Sequence, residues 1–217
     1  MSTSSKTQPV GNTVADTSFD GELVGDELLA RIRSRAAGYD HKNDFFFEDL
    51  AELSDVGYLR MFVPVEFGGL GFSLERVLGE QIRLSTAAPA TALGINMHLL
   101  WTGIAKALLD RGDDSLIFVL QEAAEGEIFA FGSSEAGNDL VLSGSTTRAE
   151  PQSDGSYRFY GQKIFTSLSP VWTRLGIFGC DNSVPSAPKL VHGFIARDAP
   201  GYHILENWDT LSMRATQ

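Results

Sequence analysis

The stretch Phe129–Leu140, FAFGSSEAGNDL, divides the sequence into two grammars. It opens as a short apolar strand. It then turns to small hydrogen-bonding residues: two serines, an acid, an Asn and an Asp. A polar loop after a strand is common at protein surfaces. The other reading of such a cluster is a backbone-rich cradle for a polar ligand.

Upstream of this point the apolar residues recur at helical spacing. In DELLARIRSRAAGYD, Leu28, Leu29, Ile32 and Ala36 share one face and the arginines lie on the other. In DFFFEDLAELSDVG, Phe46, Leu50, Leu53 and Gly57 repeat the pattern, with Gly57 suited to the left-handed residue after a helix end. Ser73 is placed to cap SLERVLGEQIRLS. PATALGINMHLLWTGIAKALLDRG is apolar nearly all round, with Pro89 opening it and Gly112 closing it. It is expected to be a central, buried helix. DDSLIFVLQEAAEG reads as one more helix.

Downstream the period shortens. YRFYGQKIF, RLGIFGC and VHGFIARD read as strands. The Asp-Gly of SDGS at 153–156 signals a hairpin. Pro185, Pro188, Pro200 and Gly201 punctuate the segment. The expected class is α+β: a disordered tail at 1–19, an all-helical domain at 20–127, and a small antiparallel β-barrel or sandwich at 128–217. Phe19, near the end of the tail, is expected to dock on the body.

The 217 residues are 43% hydrophobic and 10% aromatic, enough for a real core. A formal charge of −11 argues against nucleic acid as a partner, which needs a basic footprint. The single cysteine, Cys180, excludes an internal disulfide framework and fits a reducing cytoplasm. It reads as a buried strand residue. No apolar run is read as approaching a membrane span of about 20 residues, and the N-terminus shows no signal-peptide pattern. GGLG at 68–71 lacks a preceding strand–helix unit and reads as a tight turn rather than a dinucleotide site. The histidines His41, His98, His192 and His203 show no metal spacing. No Walker loop and no GxSxG elbow are present.

Four segments, in order, resemble the acyl-CoA dehydrogenase family. VPVEFGGLGFS is similar to its P-x-x-[FY]-G-G-x-G peptide, FAFGSSEAGNDL to its Thr-Glu-Pro-x-x-Gly-Ser-Asp loop, GQKIFTSLS to its Gly-x-Lys-x-Trp-Ile-Thr-Asn segment, and WDTLSMRATQ to the closing stretch of its β domain. The resemblance implies a flavoenzyme holding FAD, with FMN as the alternative. Its first implied activity is α,β-dehydrogenation of an acyl-CoA thioester. Phe131, Ser133 and Ser134 would take flavin-contacting positions, Phe165 would cover the isoalloxazine, and Ser167 would place a hydroxyl beside it. Asn138 would stand where a family Ser meets CoA. Trp208 is either strand packing or a wall of the substrate pocket. His98 is either a satisfied core histidine or a residue facing the flavin and substrate. Glu135 reads as structural, and Lys163 as a loop cap or a solvent-facing residue.

The sequence also departs from the family pattern. EAGND lacks the family Pro, and Phe165 stands where the best-known dehydrogenases carry Trp. KIFTSLSPVWT is more similar to the branch that holds flavin-dependent monooxygenases. That activity, and a non-catalytic remnant keeping the fold, are the alternatives. The family continues into a C-terminal helical bundle carrying the usual Glu base, and this chain is expected to lack it. The complete protein is expected to be a homo-oligomer with a small-molecule substrate.

Overall fold

The computed structural model describes residues 21–139 and 143–217. The tail expected at 1–19 lies outside the described residues, as does Leu140. Five helices come first: α1 (Asp26–Lys42), α2 (Phe47–Asp55), α3 (Leu74–Ser85), α4 (Pro89–Leu109) and α5 (Ile117–Ala124). Five strands follow: β1 (Phe129–Gly132), β2 (Arg148–Pro151), β3 (Tyr157–Tyr160), β4 (Arg174–Asp181) and β5 (Lys189–Ala196).

The helical elements form where the pattern places them, for local reasons. Leu28, Leu29 and Ile32 are the buried face of α1. Its Arg35 turns to α2, bonding Asp49 Oδ1 at 2.7 Å and Glu52 Oε2 at 2.5 Å. Gly57, at φ 84°, follows the C-cap of α2. Ser73 Oγ accepts from Arg76 N at 3.2 Å and starts α3. In the GGLG turn, a Cβ on Gly69 would sit 2.1 Å from the Val63 carbonyl oxygen, so only glycine fits.

By length and composition α4 is apolar enough to cross a membrane, which corrects the expectation that no run approaches such a span. Its Ile95, His98, Leu99, Trp101 and Thr102 are buried inside the protein, as in a core helix. The face holding Leu93 and Ile104 is exposed.

The sheet is mixed rather than wholly antiparallel. β4 is its spine. β5 runs antiparallel along one edge of β4, while β1 and β2 lie parallel to β4 on the other. β3 closes the antiparallel hairpin with β2 around the SDGS turn, where Gly155 has φ 86°. The parallel pairing leaves no local signal, because the partners are joined by a long crossover instead of a tight turn.

One sheet face meets α4. Trp101 donates to the Ala130 carbonyl at 3.0 Å and sets its ring edge-to-face against Phe131 and Phe194. Gly176 makes room, since a Cβ there would fall 2.3 Å from the Trp101 ring. The last described residues return to the helices. The short 3-10 turn Arg214–Thr216 buries Ala215 and Thr216 beside α1 and α4, and Gln217 donates to the Asn43 carbonyl at 2.7 Å. Helical residues thus share one apolar cluster with Ala130, Leu168, Trp172 and Ala215.

Candidate functional site

β1 ends at Gly132, and the chain runs on through Ser133 and Ser134. There it meets the segment after β3: Ile164 N donates to the Ser134 carbonyl at 2.9 Å. Gly132 allows the approach, because a Cβ would already touch Thr166 Oγ1 at 3.3 Å. The two stretches that carry the sequence motifs, 131–135 and 163–167, therefore lie side by side.

Phe165 stands out at this junction. Its φ is 54°, a left-handed value that costs a bulky aromatic, and the residue is 66% exposed. Backbone strain of this kind persists where surrounding structure imposes it, and it concentrates at ligand sites. The imposing contacts are visible. Ser167 N bonds the Phe165 carbonyl at 3.1 Å, and Leu168, itself at φ 67°, bonds the Thr216 carbonyl at 3.1 Å. Phe165 also stands edge-to-face with Trp208, ring centres 6.5 Å apart. Trp208 is held by its indole N–H on the Arg214 carbonyl at 3.0 Å, while its own carbonyl accepts from Asn43. Beside the pair opens a cavity of about 570 Å³. Its floor is the sheet face turned away from α4, including Leu175, Ile177 and Ile195, and it is also lined by the buried Trp172 and by Tyr202 and Trp208.

Behind this junction sits Glu135. Its carboxylate accepts from Lys163 Nζ at 2.7 Å, Ser145 Oγ at 2.7 Å, Thr146 N at 2.7 Å, Thr147 N at 2.9 Å, Thr147 Oγ1 at 2.5 Å and Asn138 Nδ2 at 2.6 Å. Burial alone would raise its carboxyl. The bonds from Lys163, Thr147, Thr146 and Ser145 outweigh that and hold it well below the usual carboxylate range. Lys163 is pushed down by burial, partly offset by Glu135. Its ammonium also lies 4.3 Å from the Phe178 ring centre. The reading of Lys163 as a loop cap or solvent-facing residue is thus corrected: its side chain is 10% exposed and paired.

Other expected residues fall elsewhere. His98 is fully buried on α4. Its Nε2 lies 2.9 Å from the Leu59 carbonyl, and its Nδ1 accepts from Phe129 N at 3.1 Å. With Nδ1 accepting, Nε2 carries the proton and the ring is neutral. Burial lowers its pKa to about 4, against a small raising effect of the Leu59 carbonyl. The structure does not bring His98 to the cavity; it is a satisfied core histidine. Nor does it bring the Phe131 ring there, because that ring lies on the α4 face of the sheet. Asn138 is turned inward, its amide shared between Glu135 and the Gly144 carbonyl. Ser134 is exposed, Ser133 half-buried and Ser167 buried. Cys180 is half-buried in β4 with its thiol 3.3 Å from Asn182 Oδ1.

No family model matches the chain. It is similar to L-evernosamine nitrososynthase of Micromonospora sp., 30% identical over 224 residues, covering 96% of this chain and 48% of that protein. It is also similar to the crystal structure of KijD3 in complex with FMN and a dTDP-linked 3-amino sugar, with TM-score 0.77 and 28% identity, covering 88% of this chain and 47% of that one. Butyryl-CoA dehydrogenase from Megasphaera elsdenii matches with TM-score 0.74 at 20% identity, over 89% of this chain and 51% of that one, which shows the fold. The helical and mixed-sheet frame is that of acyl-CoA dehydrogenase-fold proteins. It spans about half the length of the relatives it matches.

The acyl-CoA dehydrogenase-like frame makes a flavin the group to test against these residues, and they fit one. An exposed aromatic beside a cavity of this size offers a flat face to a flat ring. Of the expected serines, Ser134 is exposed at the end of the adjoining stretch and Ser167 is buried, while the cavity's own lining includes Thr166 and Ser169, and the irregular backbone supplies short-range polar groups. Sequence reading missed the Glu135–Lys163 pair. Its only signal was an acid at the end of one motif and a base at the start of the other, 28 residues away.

Proposed function

We propose that this chain is the flavin-holding part of an oxidoreductase, and that its flavin serves a monooxygenase acting on a small amine-bearing substrate. The observation that carries the flavin reading is Phe165, held exposed on a left-handed backbone beside Trp208, with the preceding Ile164 bonded to the Ser134 carbonyl. When bound, the flavin would supply the redox chemistry. The chain's own residues would do the rest. Phe165 covers one face of the ring, Ser134 and Ser167 offer hydrogen bonds at its polar edge, and Trp208 walls the cavity where substrate would lie. FAD and FMN share the isoalloxazine that these groups would meet.

The monooxygenase reading is supported by the likeness to L-evernosamine nitrososynthase and to KijD3 with its FMN and amino-sugar ligands. Dehydrogenation of an acyl-CoA thioester is the second reading, favoured at the level of fold by butyryl-CoA dehydrogenase. A reducing location such as the cytoplasm belongs to the same proposal, supported by the single cysteine.

The test uses protein expressed from its own gene and reconstituted with FMN or FAD. Oxygen-dependent oxidation of a dTDP-linked amino sugar in the presence of reduced flavin is the expected result. Bleaching of the oxidised flavin by an acyl-CoA, with no oxidation of the amine, would transfer the assignment to the dehydrogenase reading.

A further inference from the structure

Six donors converge on the Glu135 carboxylate, and the groups that supply them come from three places. Asn138 belongs to its own loop, Ser145, Thr146 and Thr147 lead into β2, and Lys163 belongs to the segment after β3. Only the Lys163 contact crosses to the Phe165 segment as a charge. Glu135 follows Ser134 directly, and Lys163 stands two residues before Phe165. Their side chains are 1% and 10% exposed. Apart from this pair, the hydrogen bond joining the two stretches among the described residues is the backbone bond from Ile164 N to the Ser134 carbonyl.

A buried ion pair resists separation more than a neutral contact does, because pulling it apart strands two desolvated charges. A carboxylate with every lone pair engaged is also fixed in orientation, and it fixes its donors in turn. The structure assigns Glu135 and Lys163 the role of a positioning pair. They set the separation and orientation of Ser134 and Phe165, and through them the seat of the flavin ring. Lys163 is clamped on its other side by the Phe178 ring in β4, so the pair ties both motif stretches to the spine of the sheet. Neither residue is assigned contact with the flavin. The inference rests on the flavin reading of the same site.

Three variants test it. Lys163→Met removes the charge and leaves Glu135 its five other donors. Lys163→Arg keeps the charge. The double variant Glu135→Gln/Lys163→Met removes both charges, so no buried charge is orphaned even if the single variant folds poorly. Each is titrated with FMN, and the visible absorbance and circular dichroism of the bound flavin are recorded at saturation. Thermal unfolding is measured without flavin. The wild type is expected to bind FMN. Lys163→Met and the double variant are expected to bind it about tenfold more weakly or worse, with altered visible dichroism, the consequence of a site loosened by a fraction of an ångström to an ångström. Lys163→Arg is expected to bind within about threefold of wild type, since it restores the charge. A role in stability alone would lower the unfolding temperature and leave the spectrum of the saturated flavin unchanged. Wild-type affinity and spectrum in the double variant overturn the positioning role while leaving the flavin reading intact. A wild type that binds neither FMN nor FAD overturns both.

Discussion

Replacing Phe165 with Gly separates the ligand role of this residue from its structural role. Phe165 holds φ at 54° and leaves 66% of its surface exposed. A left-handed backbone costs a non-glycine residue roughly 1–2 kcal/mol, which glycine would recover. The buried third of the ring contributes about 0.5–1 kcal/mol by area. Glycine's extra freedom in the unfolded chain costs about another 0.5–1 kcal/mol. The terms offset, so Phe165→Gly is expected to unfold within about 1 kcal/mol of wild type in urea. Flavin binding has no such offset. Loss of a stacking partner removes about 0.5–1.5 kcal/mol beyond area burial, so FMN affinity should fall about tenfold in a fluorescence titration. A variant destabilised by about 3 kcal/mol or more with unchanged FMN affinity would refute the reasoning and make Phe165 a structural residue.

Three further outcomes follow from the core. His98 has its folded pKa lowered from 6.5 to about 4, so its stabilising effect is complete above pH 6.5 and is lost as pH falls through that window toward 4, by an amount of order 3 kcal/mol. Urea unfolding across that pH range should show the loss in wild type, and His98→Gln should flatten it while leaving FMN affinity unchanged. Gly176→Ala drives a methyl to 2.3 Å from the Trp101 ring and should cost about 1–3 kcal/mol, read as a lowered unfolding temperature. Arg35→Met leaves the fully buried Asp49 with the Thr91 hydroxyl at 3.0 Å as its remaining side-chain partner. A loss of about 3–5 kcal/mol at neutral pH is expected in chemical unfolding.

What could be read from sequence was whatever is local. Ser73 as a cap, Pro89 and Gly112 bracketing α4, and the Asp-Gly turn between β2 and β3 each act within a few residues. That the stretches holding Ser134 and Phe165 run side by side was legible only because resemblance linked two distant motifs; no periodicity connects them. The parallel β1–β4 pairing and the return of Arg214–Thr216 to the helices were not legible, because both depend on chain reversal over tens of residues. The side taken by Phe131 could have been found. It lies two residues from the buried Phe129, and period-two alternation puts both on one face. His98 needed the fold, since its two partners, Leu59 and Phe129, come from elements on either side of α4 in the sequence.

The most direct test of the central claim is a crystal structure of the protein soaked or co-crystallised with FMN. The isoalloxazine is expected against Phe165, ring centres about 4.5–7 Å apart, with the polar edge within hydrogen-bonding reach of Ser134 or Ser167. A flavin bound away from Phe165, or a Phe165 ring turned into the protein with no flavin beside it, would contradict the account.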